Sequence, residues 1–334
     1  MLLSRTRNPF FAHAEAEYFV ARGPDGGVVG RIAAIANHAH ARAHPDERHV
    51  GFFGFFESVD DQAVADALLA AAAGWLGSRG LRVLRGPMNF STNDDCGLLV
   101  DGFDSPPVLM MPHNPPYYRR LLERAGCTKA MDLLAYQGSG DTVPQRLADA
   151  AARLAGRLRV TLRPLSMRRF WAEVDLIKQL YNRAWDANWG FIPMTDDEMT
   201  HLAKQLKPVV VPELVVLAYA RDQLVGFAIA LPDYNVALRA NRSGRLLPFG
   251  FIRLLRKRRH IARARVLTLG VVREHRRTGV DALLYEWIWR HGNARGYTWC
   301  ESSWILETNT AMRNALERMG FSVYKTYRVF DRPV

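Results

Sequence analysis

The sequence predicts an α/β protein made of two tandem copies of one unit, and three observations carry that prediction. The pentad Leu122-Glu123-Arg124-Ala125-Gly126 recurs 194 residues later as Leu316-Glu317-Arg318-Met319-Gly320. In each copy the glycine closes an apparent helix with the usual left-handed stop, and a β-rich run follows, at 131–136 and 323–330. The tetrad Asp66-Ala67-Leu68-Leu69 recurs 215 residues later as Asp281-Ala282-Leu283-Leu284, opening a helical pattern after β-rich runs at 50–56 and 266–272. The echoes keep the same order, and their offsets place 21 extra residues of the first copy in the Gly/Pro-rich loop 86–116. A chain of 334 residues suits two domains at ~100–200 residues each. The expected division is a first unit over 1–140, a connecting helix within 141–158 and a second unit over 159–334.

Within the second unit the elements follow in order. A strand is expected at 160–163 and a helix from Met167 to about Trp185. Thr195-Asp-Asp-Glu198 is a capping box that opens another helix. A hairpin spans 214–219 and 224–231 around Arg221-Asp222-Gln223. Beyond a basic segment come a strand at 266–272, a helix from Val280, a strand at 297–304, a helix from Asn309 and a last strand from Val323.

Hydrophobic residues at 49% and charged residues at 23% exclude a disordered or fibrous chain. The net charge of +12 is concentrated. Nine arginines and Lys257 lie between Arg239 and Arg265 with no acidic residue, so one segment carries ten of those charges. There Leu246, Leu247, Phe249, Phe251 and Ile252 precede Arg256, Arg258 and Arg259. That is the composition of an interfacial membrane helix, each surface cation adding ~1 kcal/mol on anionic lipid, or of a contact for an acyl chain. A buried helix with a solvated basic end ranks second. Nucleic acid ranks third, because no base-stacking aromatics interleave the arginines.

Cys96, Cys127 and Cys300 are an odd number without a CxxC, which fits a reducing compartment. No signal-peptide pattern or apolar span of ~18 residues is read, so the expected location is cytoplasmic, with peripheral attachment to the inner membrane face. His38, His40, His44 and His49 match no usual zinc spacing and are read as a solvated loop, with no metal expected.

Val271, Arg276, Arg277, Thr278, Gly279 and Val280 sit where a strand passes into a helix. Backbone N–H groups at a helix start, with flanking arginine and close approach at glycine, bind a diphosphate. This turn and the element order resemble the GCN5-related N-acetyltransferase (GNAT) fold, and Asn309 followed by Glu317-Arg318-Met319-Gly320-Phe321 resembles its second motif. The first copy offers only Asp61-Gln62-Ala63-Val64 at the turn, so it is expected to support the fold or shape an acceptor pocket. Gly51–Glu57, Gly86–Ser91, His113–Tyr118 and Trp304–Asn309 further resemble the YghO-like branch of tandem acyltransferases, to which bacterial ceramide synthases are similar.

The resemblance implies acyl transfer from an acyl-CoA or acyl carrier protein thioester to an amine, including a lipid amine such as a sphingoid base. It also implies an oxyanion donor among the N–H groups near Val271. Asp281 replaces a small residue of the family turn, and Leu316 replaces a general-acid tyrosine. Candidate proton-transfer groups are therefore Glu301 and Glu307, of the same strand parity, with Tyr324, Tyr327 and His113, the residue aligned with Glu307. The rival reading is an inactive GNAT-fold module that binds a ligand or nucleic acid.

Overall fold

A computed structural model describes residues 2–185, 188–241, 245, 256 and 258–334. In the first half, β1 (Ala14–Arg22), β2 (Val28–Asn37) and α1 (His38–Ala43) precede β3 (Val50–Ser58), α2 (Gln62–Gly77) and β4 (Val83–Gly86). Then come β5 (Leu98–Asp101), α3 (Tyr117–Arg124) and β6 (Thr128–Ser139), and α4 (Gln145–Leu158) connects the halves. The second half runs β7 (Val160–Pro164), α5 (Phe170–Ala184), α6 (Asp196–Leu206), β8 (Val215–Ala220), β9 (Gln223–Pro232) and α7 (Asn235–Leu238). It continues with β10 (Arg263–Val271), α8 (Val280–Ala294), β11 (Trp299–Leu306), α9 (Thr310–Arg318) and β12 (Ser322–Pro333).

Local chemistry explains where these helices start. Asp61 caps α2 through the Ala63 N–H, and the helix buries Leu68, Leu69 and Leu76 at helical spacing. Thr195 and Glu198 form the expected reciprocal capping box of α6. Asn309 caps α9 by accepting from the Met312 N–H. The hairpin turn places Arg221 and Asp222 at φ 48° and 66°, the sense of turn that matches strand twist.

Among the described residues the strands form one sheet in the order β1-β2-β3-β4-β12-β6-β11-β10-β9-β8-β7, with β5 also paired to β12. The halves mirror each other. β3 and β4 are parallel and joined through α2; β10 and β11 are parallel and joined through α8. The closing strands are exchanged. β6, from the first half, pairs with β11, whereas β12 pairs with β4 and, antiparallel, with β6. The two LERxG pentads thus introduce the two strands that meet at the centre of the sheet.

Helices cover both faces of the second half. Around Gly226 a β-carbon would meet Val280 and Leu284 of α8, and at Gly270 it would meet the Trp185 ring just after α5. Val280 and Leu284 are fully buried, worth ~1.5–3 kcal/mol for each such side chain.

Three sequence expectations change. Helix α2 begins at Gln62, so Asp66 lies a full turn inside it, whereas Asp281 lies in the first turn of α8. The histidine stretch is not a solvated loop. His40 is buried in α1 with Nε2 3.1 Å from Glu47, which also accepts from Arg85 at 2.8 Å. Finally, β10 begins at Arg263, so Arg263 and Arg265 belong to the sheet rather than to the basic insertion.

Leu246, Leu247, Phe249, Phe251 and Ile252 lie outside the described residues; Arg256, Arg258 and Arg259 are exposed. Among the described residues no helix is long and apolar enough to cross a membrane, and no His/Cys/Asp/Glu group is arranged to hold a metal.

Candidate active site at the strand divergence

β10 and β11 pair from Arg263–Val266 against Trp299–Ser302 and then part. β10 continues along β9 to Val271, while β11 shifts register between Ser302 and Ile305 and follows β6. A sheet opened in this way leaves the β10 edge beyond Val266 without a β11 partner, and backbone groups there are available to a ligand.

Glu301 sits at this divergence with no solvent exposure. The Tyr324 hydroxyl donates to one carboxylate oxygen and the Ser303 hydroxyl to the other. Arg265 Nε lies 3.7 Å from the oxygen that Ser303 contacts and donates to Ser303 Oγ at 3.2 Å. Burial pushes the Glu301 carboxyl above the ordinary carboxylate range, against the opposing pull of Arg265.

A loop of the first half is folded over this cluster and pinned by two buried cations. Arg265 donates to the Leu109 and Met110 carbonyls at 2.7 and 2.8 Å. Lys325, fully buried on β12, donates to the carbonyls of Gly102 and of Ser105, the latter at 2.7 Å. Upstream, Thr92 and Asn93 donate to the Gly190 and Ile192 carbonyls at 2.8 and 2.9 Å, and the Tyr181 hydroxyl donates to Asn93 at 2.8 Å. Asp94, beside them, accepts from Ser91 at 3.0 Å, yet burial pushes its carboxyl up to about 7.

Against the divergence lies a cavity of about 250 Å³. Its walls come from α5, α6, β8, β9 and β10, and the first half closes it with Thr92, Asn93, Cys96, Met110 and Leu133. Arg265 and Ser303 line it, so the hydroxyl bonded to Glu301 also forms part of the cavity wall.

The turn before α8 has divided roles. Gly279 adopts φ 101° and a β-carbon there would meet Leu154 of α4, so this glycine permits helix contact. Arg276 is turned to the Val271 and Ala184 carbonyls at 3.3 and 2.7 Å. Thr278 donates to the His275 carbonyl at 2.7 Å. Arg277 is exposed, and the first-turn N–H groups of α8 have no acceptor within the helix. Backbone N–H groups and Arg277 at this turn suit an anionic group, with Asp281 in the first turn as the opposing charge.

Of the sequence candidates, Glu301 and Tyr324 are brought together. Tyr327 lies in the adjoining core, its buried hydroxyl without a hydrogen-bond partner. Glu307 is placed apart, accepting from Lys129 Nζ at 2.6 Å and from the Asp132 N–H at 3.0 Å. The register shift in β11 breaks the parity that relates it to Glu301. His113 is largely exposed, its ring centroid 6.4 Å from that of Phe103, and partial desolvation together with Lys325 lowers its pKa. Asn309 serves α9 as its cap. Arg265 and Ser303 escaped sequence reasoning; the one available signal was the spacing of Ser303 two residues after Glu301 on the same strand, whereas a register shift between Val266 and Thr268 removes any such signal for Arg265.

A bacterial ceramide synthase of Caulobacter vibrioides is 38% identical over 340 residues, covering 99% of this chain and 87% of that protein. Protein YghO of Escherichia coli is 35% identical over 336 residues, covering 98% of this chain and 85% of that protein. No family model matches the chain. Among solved structures, a tandem GNAT protein from the clavulanic acid biosynthesis pathway superposes with a TM-score of 0.52 at 14% identity, over 98% of this chain and 84% of that one. A GCN5-related N-acetyltransferase from Sphaerobacter thermophilus gives 0.51 at 14% identity, over 95% and 80%. The chain thus carries a tandem GNAT fold and belongs to the family of the bacterial ceramide synthase and YghO.

Proposed function

We propose that the protein is an N-acyltransferase moving an acyl group from an acyl-CoA or acyl carrier protein thioester to a lipophilic amine, of which a sphingoid base is one example. The family relationship supports the reaction class. The observation that carries the chemistry is the buried Glu301, bonded to Ser303 at the cavity wall and to Tyr324 on its other oxygen. The amine nitrogen attacks the thioester carbon, a C–N bond forms and the C–S bond breaks. The amine proton passes through Ser303 Oγ to Glu301, and Tyr324 gives a proton to the leaving thiolate and is reprotonated by Glu301. No net proton is gained or lost by the protein.

The first turn of α8 and Arg277 would hold the anionic end of the donor, and N–H groups near Val271 the oxyanion. The composition of residues 245–259 supports work at an anionic membrane surface on the cytoplasmic side.

Incubation with CoA and carrier-protein thioesters of graded chain length and a panel of amines, read by free thiol and product mass, is expected to yield amide from a lipophilic amine. The same preparation is expected to sediment with anionic vesicles. Absence of thiol release with every donor overturns the enzymatic reading.

A further inference from the structure

We propose that the cavity beneath α5 and α6 binds the straight hydrocarbon chain of the acyl donor and sets its length. That the chain belongs to an acyl thioester rests on the acyltransferase reading; that the cavity takes an alkyl chain rests on its lining.

On α5, Phe170, Val174, Ile177 and Tyr181, followed by Trp185, line the cavity at steps of four, three, four and four residues. This is one continuous stripe of the helix, and at ~1.5 Å per residue it runs for about 20 Å. α6 supplies the facing stripe, with Met199, Leu202, Ala203 and Leu206 at helical spacing. The floor is the sheet, with Val215, Phe227, Ile229 and Leu267. The space is therefore walled along this stripe mainly by apolar side chains.

Few of the lining side chains are polar. They are Thr92, Asn93, Asn188, Thr268, Arg265 and Ser303, of which Arg265 and Ser303 stand with Glu301 at the divergence, and Arg265 is the single charged residue among the described lining residues. A ligand matching this lining is largely apolar, with a polar, reactive end to meet Arg265 and Ser303. A sugar, nucleotide or amino acid would leave its polar groups unpaired along the stripe, at a large desolvation cost.

The part of the cavity at Arg265 and Ser303 bears on which chain. It opens where the β10 edge beyond Val266 faces no β11 strand, next to the hydroxyl of Ser303 and ahead of the α8 turn. A thioester held by that turn and laid along β10 carries its carbonyl to the divergence and directs its alkyl chain between α5 and α6. The degenerate first half then has a defined task at this site, since its loop closes the cavity through Thr92, Asn93 and Met110.

Equilibrium dialysis of the full chain against CoA, octanoyl-CoA and palmitoyl-CoA tests the inference. Affinity is expected to rise by about fourfold for each added methylene until the cavity is filled. Ala203→Trp, which fills the α6 wall, and Val174→Phe, a milder change on α5, are each expected to reduce the palmitoyl-to-octanoyl affinity ratio at least tenfold. Affinity independent of chain length in the unmodified protein overturns the proposal, as does a ratio unmoved in both variants. It is also overturned if the variants alter selectivity for the chain of the amine and not of the donor. A moving ratio without turnover would sink the acyltransferase reading and leave the cavity assignment standing; turnover with a fixed ratio would do the reverse.

Discussion

A carboxylate takes a proton from an amine near neutral pH only when its surroundings disfavour its charge, and Glu301 is so placed. Burial raises its pKa while Arg265 limits the rise. The base form exists only above the raised value, so the acid limb of the pH profile of kcat/KM is expected above the ordinary 4.5. Glu301→Gln keeps the shape and removes the base; a fall of about 10²–10⁴ in kcat is expected, measured by thiol release. Arg265→Met removes the cation that lowers the Glu301 pKa and is expected to move the acid limb further up. Glu301 was legible only together with Glu307, as one of two carboxylates near the strand opening. Arg265 was not, because a run of ten cations reads as one basic segment until the sheet register separates its last two members.

At the scale of elements, the loop between β4 and α3 is the part that makes the site belong to both halves. Its excess length was legible from the two echo offsets, but its destination was not, since hydrogen bonds to distant carbonyls leave no periodic signal. Asp94 in this loop tests how tightly it is held. Its carboxyl stays neutral in the fold up to about 7 but ionises near the ordinary 3.8 when the chain unfolds. Stability is accordingly expected to fall as pH rises through that window. Asp94→Asn removes the ionisation and is expected to raise stability at pH 8 by about 2–4 kcal/mol, with little change below pH 3.8, by chemical denaturation at both pH values. A destabilised Asp94→Asn at pH 8 would contradict this account. The helices were legible wherever a cap or a periodic stripe marked them, as at Thr195 and Val280. The β1–β2 hairpin and β5 were not, because short runs with mixed burial carry weak alternation.

For the whole molecule, the governing feature is the exchange of closing strands. β6 lies between β12 and β11, and β12 lies between β4 and β6, so neither half completes its sheet with its own residues. Residues 159–334 expressed alone are expected to be insoluble or to lack a cooperative thermal transition, because β11 and β12 lose their β6 partner and expose long edges. Co-expression with residues 1–158 is expected to restore a soluble complex, seen by size-exclusion chromatography and circular dichroism. A stable, monomeric 159–334 fragment would refute the dependence. The repeat itself was readable from two short echoes, whereas the exchange was not, since pairing partners nearly two hundred residues apart look the same in sequence whichever copy they join. The exchange has a consequence for descent. A duplicated enzyme usually sheds the copy that has lost its donor turn, yet here deletion would strip the surviving copy of a central strand. The first copy is retained by architecture, free to drift in chemistry while it supplies one wall of the cavity beside the strand divergence.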